Sequence, residues 1–216
     1  MRARPFHDRE HAGRVLAKLL RSYANERPLV IGLPRGGVPV AYEVAKALRA
    51  ELDVWIVRKL GAPMQPELGM GAVAEGGDPY VDEALVAELG VSAERLDALV
   101  RVKNEEVLER QRLFRDGAPP PDVRGRTVIV VDDGIATGGT AHAALRAIRK
   151  NAPAKVVLAV PFASRDRLET FEGEADEIVC AEADLMIFAV GEGYENFEQT
   201  TDEDVVELLR RAKAWR

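Results

Sequence analysis

Residues 128–140 read Val-Ile-Val-Val-Asp-Asp-Gly-Ile-Ala-Thr-Gly-Gly-Thr, and no other stretch constrains the chain as tightly. Four consecutive β-branched residues, Val128 to Val131, predict a strand buried on both faces, the habit of central strands in parallel sheets. Two carboxylates, Asp132 and Asp133, close that strand. A turn of Gly and Thr follows, and Ala141 to Lys150 reads as a helix. Backbone amides in such a turn, together with a helix N-terminus, favour an anion such as a phosphate. Thr137 and Thr140 add hydroxyl donors. The carboxylates accept hydrogen bonds, so they suit ribose hydroxyls or a hydrated cation. Together these parts describe a site for a sugar phosphate.

Other motifs share pieces of this run. A triphosphatase acidic motif requires G-x-x-x-x-G-K-[ST] upstream, and the chain has none. A dinucleotide fingerprint requires G-x-G-x-x-G, which Gly134, Gly138 and Gly139 do not supply. A response-regulator module does not fit into the residues remaining after Asp133. A plain structural turn leaves two adjacent carboxylates at a strand end unexplained.

The thirteen residues resemble the phosphoribosyl-pyrophosphate (PRPP) binding motif of type I phosphoribosyltransferases, and the order of elements over residues 28–200 fits that family. The resemblance implies an α/β fold, a mostly parallel central sheet flanked by helices. It implies that Asp132 and Asp133 hold the ribose hydroxyls while Ala136, Thr137, Gly138, Gly139 and Thr140 hold the 5′-phosphate. It implies an enzyme, a glycosyltransferase moving the phosphoribosyl group from PRPP to a nitrogen nucleophile such as a nucleobase, with pyrophosphate released. Mg²⁺ is the expected cofactor, met by Asp132 and Asp133 through water rather than directly. A homodimer is expected by the same analogy. The alternative is a non-catalytic regulator on the same fold that senses PRPP or a nucleotide.

The 216 residues, 47% hydrophobic, are enough for one sizeable core. They read as one domain over 1–216 with a helical insertion at about 82–118. A net charge of −6 argues against nucleic-acid partners. There is no apolar run of membrane-spanning length and no signal-like N-terminus, so no membrane partner and a cytoplasmic location are expected. The single cysteine, Cys180, reads as buried and reduced.

Asp8 reads as the cap of a first helix reaching about Ala24. Residues 28–32 and 54–57 read as strands, with a helix from 38 to 50 between them. Gly61 to Gly77 reads as a long loop with a short extended piece at 72–74. Helices are expected over 82–89 and 92–114, the Arg110–Arg115 piece on a solvated face, and Ala118-Pro119-Pro120-Pro121 ends the section. Further strands are expected at 156–160 and 177–180, a helix near 166–171, an extended piece at 186–190, and a closing helix over 202–214.

Three more elements bear on the site. Leu33-Pro34-Arg35-Gly36-Gly37 lies between strand and helix and offers amides and a guanidinium to an anion. The resemblance assigns Arg35, Gly36 and Gly37 to the pyrophosphate, with a cis peptide often found there. Arg58 and Lys59 precede the expected loop, and the resemblance assigns both to the departing pyrophosphate. Lys59 and Asp133 are then the catalytic residues. Phe162 and Phe188 are candidates for base binding. Where the purine-specific branch carries a lysine after the strand following the motif, this chain has Ala159-Val160-Pro161-Phe162, which leaves the acceptor open. His7, His11 and His142 form no metal-ligand pattern, and His142 is expected to face solvent.

Overall fold

The computed structural model describes residues 5–76, 79–185, 187 and 189–215. The chain runs α1 (Arg9–Leu19), a 3₁₀ turn (Arg21–Glu26), β1 (Leu29–Gly32), α2 (Gly37–Leu48) and β2 (Glu51–Val54). Next come β3 (Val57–Ala62), β4 (Gln65–Ala74), β5 (Tyr80–Val81), α3 (Glu83–Glu88) and α4 (Ala93–Arg115). It closes with β6 (Thr127–Val131), α5 (Gly139–Lys150), β7 (Lys155–Phe162), α6 (Arg165–Glu169), β8 (Glu177–Glu182), a second 3₁₀ turn (Val190–Gly193) and α7 (Asp202–Lys213).

Five strands form a parallel sheet in the order β2-β1-β6-β7-β8. The pleat sends neighbouring side chains to opposite faces, and each face meets its own apolar layer. Val30, Ile129, Val131, Val157 and Ala159 pack with residues of α1, α2 and α7. Leu29, Ile31, Val128, Val130, Leu158 and Val160 pack with Ala144, Leu145 and Ile148 of α5. Cover on both faces explains why these strands carry almost unbroken runs of Val, Ile and Leu.

Strand order places the site. From β1 the chain steps outward to β2, then returns to the opposite side of β1 as β6. Gly32 pairs with Val131 where the two strands end side by side. Loops leaving neighbouring strands in opposite directions open a crevice there, the usual ligand position in open α/β sheets.

Several expectations are revised. The predicted strand 54–57 straddles a corner: β2 ends at Val54, β3 begins at Val57, and Trp55 and Ile56 are buried between them. The expected loop 61–77 is largely an antiparallel hairpin of β3 and β4, extended by β5 into a three-stranded sheet. Its Gly-rich composition hid it, yet Gly71 is required, since a Cβ there would lie 2.1 Å from the Tyr80 carbonyl. Arg115 is not on a solvated face. It is buried in a pair with Glu75, which also accepts from the Ile56 amide at 2.9 Å and from Gln111 at 2.9 Å. Cys180 is half-buried, and burial pushes its thiol up to about 11. In the expected extended piece, 186 and 188 lie outside the described residues, and Val190 begins a 3₁₀ turn.

Candidate active site

The motif strand ends as expected, with Asp132 and Asp133 at the C-terminal end of β6. Beyond them the chain turns through Gly134 at φ +145° and Gly138 at φ +82° into α5. Gly134 serves packing as well as torsion: a Cβ there would meet the Phe162 ring at 2.4 Å. The helix begins at Gly139, two residues before its predicted start, because Gly138 in the left-handed region acts as the cap. Among the described residues, the amides of Ala136, Thr137, Gly138, Gly139 and Thr140 find no acceptor. Thr137 and Gly139 are exposed. Amides left unsatisfied at a helix start form an electropositive cradle.

The Leu33–Gly37 loop sits against this turn. The Leu33 amide donates to the Val131 carbonyl at 2.9 Å, and the Pro34–Arg35 peptide is cis. Gly36 and Gly37 allow the approach. A Cβ on Gly36 would lie 1.9 Å from Asp133 Oδ2, and one on Gly37 would lie 2.6 Å from the Val131 carbonyl. The Gly37 amide is spent on the Leu33 carbonyl at 3.0 Å, so it is not available to an anion as the loop stands. Residues 33–36, 132–141 and Val190 together line a cleft of about 260 Å³.

The acidic pair is unequal. Asp133 receives Arg9 Nε at 2.9 Å and Nη2 at 2.8 Å, both on Oδ2. Its amide donates to Asp132 Oδ1 at 2.9 Å. Burial, and then the adjacent Asp133 charge, hold the Asp132 carboxyl well above the usual carboxylate range.

The cations flanking the cleft are divided by the hairpin. Alternation along β3 turns Arg58 and Lys59 to opposite faces, so the two are not brought together. Arg58 joins Arg35 and Arg110 around a recess of about 340 Å³ that also includes Glu106, Glu109 and Phe114. Burial, with the guanidiniums of Arg110 and Arg35, lowers the Arg58 pKa from its ordinary value. Lys59 shares its face with Val57, which packs in the α5 layer, and its exposed side chain runs close over Gly69. Arg9 and Arg110 carried no signal in the sequence. Each sits in a charged helical stretch where a solvated role is the default, and only tertiary packing turns it inward.

Phe162 is not placed for base stacking in this structure. Its ring is fully buried against Phe6, Tyr194, Gly134 and Gly193. Phe188 lies outside the described residues. His142 does not face solvent as expected; its ring lies beside Gly138 of the motif turn, where a Cβ would be 3.5 Å from it. It stacks on Phe171 at 4.0 Å and pairs with Glu174 at 2.7 Å. A neighbouring cleft of about 460 Å³ opens from Ile135 and Ala136 of the motif turn, lined further by Ser164, Arg165, Asp184 and Leu185. Among the described residues no helix is long and apolar enough to cross a membrane, and no group of three His, Cys, Asp or Glu is gathered to hold a metal.

The phosphoribosyl transferase domain model matches residues 7–196. The chain belongs to the phosphoribosyl transferase family. A Mycobacterium tuberculosis protein provisionally named a phosphoribosyl transferase is 48% identical over 207 residues, 96% of this chain and 47% of that protein. The chain thus spans about half the length of that relative. The crystal structure of TT1426 from Thermus thermophilus superposes with a TM-score of 0.81 at 40% identity, covering 95% of this chain and 98% of that one. A uracil phosphoribosyltransferase of Aquifex aeolicus is 32% identical over 104 residues, 48% of this chain and 44% of its own. Membership in the phosphoribosyl transferase family accords with the parallel sheet and the position of the crevice.

Proposed function

We propose that the crevice binds Mg-PRPP and that the chain transfers its phosphoribosyl group to a nitrogen nucleophile, a nucleobase. One observation carries the reading: the acceptor-free amides of residues 136–140 and the Asp132–Asp133 pair line the same cleft at the switch point. The amides and the Thr137 and Thr140 hydroxyls take the 5′-phosphate, and the two carboxylates take the ribose hydroxyls. The nucleophile's lone pair forms the bond to C1 as the C1–O bond to pyrophosphate breaks. The electron pair of that bond leaves on the pyrophosphate oxygen, and the nucleophile's proton passes to pyrophosphate or water. Positive charge developing on the ring falls beside the acidic pair, while the departing anion has Arg35, Arg58 and Arg110 within the adjoining recess. Lys59, on the phosphate-helix side of the hairpin, meets the leaving group when the hairpin carries it inward.

The donors present fit Mg²⁺, which prefers oxygen ligands and keeps several waters. Asp132 would meet it through water, since a cation offsets both causes that raise this carboxyl, whereas Asp133 already has Arg9. When bound, Mg²⁺ would neutralise charge on the pyrophosphate. The cleft beside Ile135 and Ala136 offers room for the acceptor, and uracil, from the name of the Aquifex relative, is the first base to try. We read the chain as one domain in which 82–118 is inserted, acting as a homodimer in the cytoplasm.

Incubation with PRPP, Mg²⁺ and a panel of bases, with pyrophosphate release as the readout, tests this. Release that depends on one base supports transfer. Tight PRPP binding without release for any base favours the sensing alternative, and no PRPP binding rejects both.

A further inference from the structure

We infer that Arg9 positions Asp133, so that the N-terminal helix sets the ribose-binding half of the site. The inference rests on the PRPP reading above. Arg9 makes three charge-assisted contacts at once. Nε and Nη2 meet Asp133 Oδ2 at 2.9 and 2.8 Å, and Nη1 donates to the Glu198 carbonyl at 2.6 Å. Its guanidinium lies 4.0 Å from the centre of the Phe197 ring. The Arg9 and Asp133 side chains are 12% and 13% exposed, so solvent screens the pair little.

The guanidinium is itself held in place. Residues 6–7 bond to 193–196: the Phe6 amide donates to Gly193, and the amides of Glu195 and Asn196 donate to Phe6 and His7. Tyr194 on that segment donates to the Asp133 backbone carbonyl at 2.5 Å. Asp133 is therefore gripped at its side chain by the start of α1 and at its main chain by the C-terminal segment. Gly36 is what lets the carboxylate lie here, since a Cβ at that position would be 1.9 Å from Oδ2. The adjacent Asp132 repels Asp133, and Arg9 is the cation that offsets this repulsion. A carboxylate held in one orientation can receive a ribose hydroxyl without further rearrangement.

Binding of Mg-PRPP and of inorganic phosphate, both by calorimetry, tests the inference on full-length wild type, Arg9→Gln, Arg9→Lys, Asp133→Asn and the Arg9→Gln/Asp133→Asn pair. The double variant leaves neither charge unpaired, so a folded reference exists even if Arg9→Gln alone unfolds. Arg9→Gln is expected to weaken PRPP by about tenfold or more while inorganic phosphate binds as in wild type. Arg9→Lys should recover part of the loss, since it keeps the charge but not the fork. In the Asp133→Asn background, Arg9→Gln should add less than about twofold, the signature of two residues acting as one unit. Equal PRPP affinity in Arg9→Gln and wild type would overturn the inference. So would a further tenfold loss in the Asp133→Asn background, or a parallel loss of phosphate binding, since both mark a merely structural pair. Wild type that binds no PRPP is a separate result and rejects the functional reading itself.

Discussion

The Tyr194 hydroxyl, fully buried, donates to the backbone carbonyl of Asp133 at 2.5 Å. A residue 61 positions along the chain thus satisfies this carbonyl at the strand end. Burial, then the Asp133 charge, raise the phenol well above its usual range, so it stays a donor throughout the working pH range. Tyr194→Phe leaves that carbonyl unpaired and should cost about 1–3 kcal/mol. Thermal unfolding should show a drop of roughly 2–4 °C per kcal/mol, with an unchanged melting temperature contradicting the assignment.

Glu75 and Arg115 hold α4 against the hairpin. With side-chain exposures of 0% and 5%, neither charge can turn to water when its partner is removed. Arg115→Ala should destabilise by about 3–5 kcal/mol, while Arg115→Ala combined with Glu75→Gln should recover part of it. Denaturant titration of the three proteins gives the comparison. A single variant as stable as wild type would show that the pair contributes nothing.

Asp132 predicts a pH dependence whose sign follows from its raised pKa. The folded protein binds the Asp132 proton more tightly than the unfolded chain does. This contribution is therefore present in full below the ordinary carboxylate range and is lost as pH rises from there through the folded value. Asp132→Asn should flatten that part of the stability-versus-pH curve. A curve that keeps its slope in the variant would remove Asp132 as its source.

Much of this was legible in the sequence. Runs such as Val128–Val131 and Val156–Val160 identify themselves, because a strand buried on both faces has to be apolar throughout. The cap Asp8 accepts from the His11 amide, and Thr201 accepts from the Asp204 amide. The hairpin was hidden because Gly61, Gly69 and Gly71 weaken the strand signal, although Gly71 serves close approach to the Tyr80 carbonyl. Arg9, Arg110 and Arg115 were hidden for another reason. A charged residue on a helix says nothing about its partner, and the partners here lie 124, 92 and 40 positions away.

The split of Arg58 and Lys59 across the hairpin separates their expected effects. Lys59→Ala should lower turnover by about a hundredfold with little change in PRPP affinity, the behaviour of a group acting only in the transition state. Arg58→Ala should weaken inorganic pyrophosphate binding as well. Steady-state kinetics with the acceptor from the base panel, beside pyrophosphate titrations, separates the two. Equal rates for Lys59→Ala and wild type would take Lys59 out of the mechanism.

The proposed function requires that the amides after Gly134 cradle the phosphate of PRPP. Its most direct test follows the backbone amide resonances of ¹⁵N-labelled protein as Mg-PRPP is added. The cross-peaks of Thr137, Gly138, Gly139 and Thr140 should move together, saturate at one affinity, and move less in Asp133→Asn at the same ligand concentration. Saturable shifts confined to another part of the sheet, or no shifts at millimolar ligand, would contradict it.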